Sequence, residues 1–222
     1  MIVMRLTRTA LVLTVLFAVA PAAHAQAVLG VSSATTNMGQ ILALSAIYDQ
    51  SGLSTGYTSG VTGFDSYIAS NPTHDSLTGS NIWASNLITT GNVDLNLGGT
   101  FTIDRFALWN KGGNAPLALR GFNLLASPDS SFTTTTNLGS FTATNSGTDT
   151  ATVAQVFSFA ATSAAYVRIQ ITSNFGGTLT EMGEVAFRQA SAVPEPSTWL
   201  LAGVAVGFGG LAHRRRTRRH AA

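Results

Sequence analysis

Residues able to do chemistry are few in this chain. There is no cysteine, so disulfides, thiolate metal sites and cysteine nucleophiles are excluded. Of the four histidines, His24 lies in the N-terminal apolar region and His213 and His220 flank the C-terminal arginines. A Ser-His-Asp triad would therefore have to use His74. Its setting, Asn71-Pro72-Thr73-His74-Asp75, has no nucleophile elbow and reads as a loop. Nine acidic residues lie between the two ends, none in a recognisable paired glycosidase setting. No residue presents itself as catalytic, which leaves processing and binding as the chemistry to look for.

The ends are built for processing. Met1 to Ala25 has Arg5 and Arg8, an apolar run from Ala10 to Ala20, and then Ala23-His24-Ala25. This is the layout of a secretory signal peptide with cleavage after Ala25; the run is too short to span a bilayer, which takes about 20 residues. At the other end Val193-Pro194-Glu195-Pro196-Ser197-Thr198 precedes an apolar stretch from Trp199 to Ala212 and the arginines Arg214 to Arg219. The prolines keep the motif extended. Counted from Pro196, the apolar stretch reaches about 17 residues, the lower limit for a transmembrane helix. The arginines hold their end in the cytoplasm and put the preceding domain across the inner membrane.

With the ends set aside, the middle of the chain has five basic residues against nine acidic ones, a net charge of about −4. Nucleic acid is an unsuitable partner, because phosphate contacts need a clustered basic face. Val93, Leu95 and Leu97 alternate with polar neighbours, as do Val167, Ile169 and Ile171, the period of half-buried strands. Phe101 to Trp109, Leu119 to Ala126, Leu138 to Thr142, Val153 to Phe159 and Glu184 to Arg188 read as further strands bounded by turn residues. Only Met38 to Tyr48 reads as helical. Many short strands imply an all-β two-sheet sandwich over residues 26–190. Trp83 and Trp109 are expected in its core, and Arg168, on a polar strand face, in a salt bridge.

Two resemblances follow. Val193-Pro194-Glu195-Pro196-Ser197, the short apolar helix and the arginine cluster, in that order over residues 191–222, resemble the PEP-CTERM sorting signal. That implies recognition by an exosortase, cleavage near Pro194, Glu195 and Pro196, and release or attachment at the surface of a Gram-negative bacterium that makes exopolysaccharide. Asn92 to Asn110, Arg120 to Asp129, Ala165 to Ile169 and Gly183 to Phe187 resemble, in order, stretches of the discoidin, or F5/8 type C, family. That family implies a galactose-binding-like jelly roll, binding of sugars, glycans or lipid headgroups through loops, and often a structural calcium ion. Asp49, opening Asp49-Gln50-Ser51-Gly52-Leu53-Ser54-Thr55, resembles the family's early Asp loop, and Glu184 its late acidic position. Calcium takes six to eight oxygen ligands; the plainer reading of the two residues is a turn cap and a surface carboxylate. The hydroxyl ligand falls on Ser54 or Thr55 without a settled register. Together these features imply an exported, non-enzymatic carbohydrate-binding or structural component of a biofilm matrix. An extracellular polysaccharide hydrolase and a surface protein without ligand stand as alternatives.

Overall fold

The computed structural model describes residues 26–75, 80–113, 115–145 and 151–190. The signal peptide expected at 1–25, with its cut at Ala25, and the tail expected at 191–222, with its transmembrane helix, lie outside them. Among the described residues no helix is long and apolar enough to cross a membrane.

The described residues form ten strands: β1 (Val28–Leu29), β2 (Ser33–Thr36), β3 (Thr73–His74), β4 (Trp83–Ala84), β5 (Gly91–Asn110), β6 (Leu119–Ser127), β7 (Thr136–Thr142), β8 (Thr152–Val153), β9 (Gln155–Asn174) and β10 (Glu181–Gln189). The main path runs β1-β10-β5-β9-β6-β7, with β2 added to β5 and β4 to β10. Its organising elements are β5 and β9, each of 20 residues. Their antiparallel register breaks between Asn96 and Phe101, where Gly98 takes φ +79°, a left-handed conformation open to glycine at little steric cost. Bulges bend and twist strands. Each long strand therefore serves two layers. Val93 to Asn96 pair with β2 and with Tyr166 to Ile169 of β9. Arg105 to Leu108 pair with β10 and with Gln155 to Ser158 of β9.

The expected alternation is present. Val93, Leu95, Val167, Ile169 and Ile171 all point into the main core, joined from the second layer by Phe106, Leu108, Val185 and Phe187. The buried rings of Phe106, Phe122 and Phe187 and the half-buried rings of Phe141 and Phe157 packed against them meet at centroid distances from 5.2 to 6.2 Å. Removing one such side chain from water is worth about 1.5–3 kcal/mol, and edge-to-face contact adds to that. Trp83 is fully buried in this core.

β10 is buried on both faces. Its second face, with Ala107 and Trp109 of β5, packs under a cover of Val28, Tyr57, Phe64 and Tyr67. Trp109 lies in this smaller cluster and donates its indole N–H to the Pro72 carbonyl at 2.8 Å.

Two local expectations are corrected. Met38 to Tyr48 is not a helix: Gly39 takes φ +63° and only a 3₁₀ turn forms, Leu44–Ile47. The one α-helix of the described residues, α1 (Phe64–Ala69), was not foreseen. Six residues give an i, i+3 pair, Phe64 and Tyr67, too short a stripe to show helical periodicity. His74 is not in a loop either; it pairs with Thr152 in the small β3–β8 sheet and is fully buried.

Candidate functional site

The cover over β10 brings Asp49 and Glu184 together. Residues 49–57 fold back on the outer face of β10, and the Gln50 amide donates to Glu184 Oε2 at 2.9 Å. Gln50 in turn accepts from the Tyr57 amide at 2.8 Å. Asp49 is exposed and closes the turn, its Oδ1 accepting from the Ser51 amide at 2.9 Å. The turn-cap role read for it is thus real. Glu184 differs from the plain reading: it is fully buried, not a surface carboxylate.

Burial is the main force on this carboxyl and pushes it up to about 9; the Asp49 charge adds to the rise, while the Gln50 amide opposes it. Its Oε1 makes no hydrogen bond of good geometry, nor do Ser51 Oγ, the Tyr57 hydroxyl and both His74 nitrogens; the Tyr57 hydroxyl nevertheless faces Glu184, and the Ser51 backbone faces His74, closely enough to act on their protonation. Burial, and then the Glu184 charge, push the Tyr57 phenol up. His74 sits against Gly183: a Cβ there would lie 2.9 Å from its Nδ1. Burial drives the imidazole down to about 4, overriding the Asp75 and Asp49 charges that pull the other way, so His74 is neutral at pH 7 and offers Glu184 no counter-charge.

A buried carboxyl with a second carboxylate close by, and no cationic side chain paired to it among the described residues, must take up either a proton or a metal ion. The donors are carboxylate and hydroxyl oxygens, which suit a hard cation such as calcium. Among the described residues no three His, Cys, Asp or Glu side chains group to hold a metal. The rest of a calcium shell would have to come from hydroxyls, backbone carbonyls and water. Of the two hydroxyls considered, Ser54 is committed, its Oγ accepting from the Thr73 amide at 2.9 Å. Sequence reasoning missed His74 and Tyr57 as neighbours of Glu184. Nothing in their local pattern signals it, since β10 meets them only through tertiary packing.

Other acids are engaged elsewhere. Arg188 holds Asp104 through Nε and Nη2 at 2.8 and 2.6 Å and reaches Asp65 at 3.1 Å. Arg105 also meets Asp65, at 2.7 Å. These carboxylates are taken up in ion pairs, which suits a structural role. The salt bridge expected of Arg168 is present: Nε and Nη2 grip Asp94 at 2.6 and 2.8 Å.

That pair lies on the outer face of the first layer. Here Thr35, Asp94 and Arg168 are aligned across β2, β5 and β9, with Ser33, Asn96 and Tyr166 in the next row. The loop after β6 folds over the edge and lays the Phe132 ring 4.1 Å from the Arg168 guanidinium. A cavity of about 180 Å³ opens between them, lined among others by Ser33, Asp94, Asn96, Phe132 and Tyr166.

Comparison with known proteins adds two findings. Residues 192–216 match the PEP-CTERM protein-sorting motif, and this span contains Pro194, Glu195 and Pro196. The motif indicates export and processing of a membrane anchor by exosortase. No curated protein matches the chain in sequence. In structure the chain is similar to the CBM32-1 and CBM32-2 domains of Clostridium perfringens ZmpB in complex with GalNAc, with a TM-score of 0.50 and 11% identity over 74% of this chain and 35% of that one. It is also similar to the family 32 carbohydrate-binding module of C. perfringens NanJ in complex with galactose (TM-score 0.45, 11% identity, 73% of this chain and 98% of that one). A third is the CBM32 of AlyQ in complex with 4,5-unsaturated mannuronic acid (0.45, 19%, 72% and 96%). At such identities the likeness is one of fold. The all-β sandwich of the discoidin and galactose-binding type is borne out.

Proposed function

We propose that this is an exported surface or matrix protein whose β-sandwich is a non-enzymatic carbohydrate-binding module acting in exopolysaccharide. The observation that carries this reading is the presence, in one chain, of a PEP-CTERM motif and a sandwich with the fold of carbohydrate-binding modules. A secretory signal ending at Ala25 takes the chain to the export machinery. The tail inserts transiently in the inner membrane, exosortase cuts near Pro194 to Pro196, and the domain ends at the cell surface or outside it. The acids around Arg188 are ion-paired and Glu184 is sealed from solvent, which supports binding over hydrolysis.

Calcium belongs to this reading as a structural ion held by Glu184 and Asp49. It would take the place of the proton that the buried carboxyl otherwise holds, and by binding only the folded state it would raise stability by mass action. Nothing in the arrangement calls for the ion to touch a ligand.

The test is a glycan array probed with the full chain in mild detergent, with hydrolysis of the same glycans followed by reducing-end assay. Binding without turnover supports the module. Turnover that disappears on mutating a carboxylate overturns it in favour of a hydrolase, and silence on every glycan favours a structural surface protein.

A further inference from the structure

We propose that the outer face of the first layer, spanned by β2, β5, β9 and β6, is a binding groove for an extended, uncharged glycan chain. This rests on the carbohydrate-binding reading above and adds to it a place and a ligand class.

A polar outer face is expected of any half-buried sheet, so the case rests on what distinguishes this one. Its single ion pair neutralises itself: Arg168 grips Asp94 with two nitrogens. Most of the rest is amide and hydroxyl, with Leu125 opposite Arg168 and, at one end, the Arg120 guanidinium 5.6 Å from the Phe175 ring. Asn123 donates to Gln170 Oε1 at 2.8 Å and accepts from the Ser140 hydroxyl at 2.6 Å. Amides and hydroxyls both donate and accept, as sugar hydroxyls do, whereas an anionic polymer would meet Asp94, whose guanidinium partner is already taken up; the other arginine of the face, Arg120, is engaged with the Phe175 ring. These side chains are held by one another, so binding freezes little further rotamer freedom.

The face also has walls. Phe132 sits at φ +53°, a conformation uncommon for a bulky side chain. It closes one end of the groove at ring distance 6.4 Å from Tyr166, and the cavity of about 180 Å³ lies there. A second cavity, of about 390 Å³ and lined by Arg120, Asn123, Ser140, Thr142 and Thr172 among others, opens at the opposite end. Tyr166 and Thr172 stand six residues apart on β9, about 20 Å at strand spacing. One sugar cannot reach both cavities; a chain of several can.

The test is affinity electrophoresis of the full chain in gels containing neutral galactomannan or, separately, alginate. Galactomannan is expected to retard the protein and alginate not. Tyr166→Ala, which removes the ring that Phe132 packs against and part of the cavity lining, and Ser33→Trp, which fills the first cavity from the exposed position on β2, are each expected to weaken retardation about tenfold while melting as the wild type does. A tetrasaccharide should compete far better than galactose. Retardation unchanged in both variants overturns the groove while leaving the carbohydrate-binding reading intact, and so does its loss in Leu87→Ser, at the loops at the end of the sandwich. If neutral polysaccharides and alginate alike leave the wild type unretarded, both the groove and the reading beneath it fail.

Discussion

Replacing Glu184 with Gln should stabilise the calcium-free domain at neutral pH, against the usual direction for a buried polar substitution. In the fold this carboxyl is pushed from its ordinary 4.5 up to about 9. At pH 7 it is therefore neutral when folded and ionised when unfolded. Because its folded value is raised, its favourable contribution is complete below pH 4.5 and is lost as pH rises toward 9. Taking up the proton at pH 7, 2.5 units above the unfolded value, costs about 3 kcal/mol at 1.36 kcal/mol per unit. Gln is neutral in both states, keeps an oxygen for the Gln50 amide and escapes that cost. For a domain of this size each kcal/mol moves the melting temperature by about 2–4 °C, so E184Q in EDTA should melt roughly 6–12 °C higher at pH 7 and level with the wild type at pH 4.5. Millimolar calcium should then raise the wild type and leave E184Q unmoved. The assay is a matrix of thermal melts of the full chain across pH, with calcium or EDTA. An E184Q protein that melts lower than the wild type in EDTA at pH 7 would show that the carboxylate is ionised and satisfied inside the fold, and would refute its need for a proton or a metal ion, with the calcium reading built on it.

Further outcomes follow from the same structure. His74 is lowered from 6.5 to about 4, so its contribution is present above pH 6.5 and lost as pH falls toward 4; in the E184Q background, free of the opposing slope, melts should show a loss approaching 3 kcal/mol that His74→Gln flattens. Arg188→Ala removes the partner of Asp104 and Asp65 and should cost roughly 3 kcal/mol in urea unfolding, more than Arg105→Ala at its more exposed pair. Gly183→Ala would place a Cβ 2.5 Å from the Trp109 carbonyl; soluble yield and melting should both fall sharply, because that carbonyl belongs to a fully buried residue of β5. In an exosortase-bearing host, replacing Pro194, Glu195 and Pro196 with Ala should leave the full-length mass in the membrane fraction, read by mass spectrometry.

How much of this was legible beforehand depends on the range of the interaction involved. The sorting motif, with Pro194, Glu195 and Pro196, is read by other proteins as a linear string, so its residues and their order suffice. The strands around Val93 to Leu97 and Val167 to Ile171 announced themselves because side chains alternate across a pleated sheet, and the position of Trp83 followed from apolar burial. The helix expected over Met38 to Tyr48 failed because Gly39 takes a left-handed turn, and α1 escaped notice because it is too short for a period.

Tertiary structure alone decided the rest. Gln50 and Glu184 are 134 positions apart and meet by a hydrogen bond. That meeting depends on the cover laid over β10, which hides a carboxylate and a histidine that a local pattern places at the surface. The self-neutralised face formed by Asp94, Arg168, Asn123 and Gln170 likewise requires three strands in one register. Desolvation and pairing depend on everything within a few ångströms, whatever its place in the chain, and so the charge state of Glu184 was settled by packing.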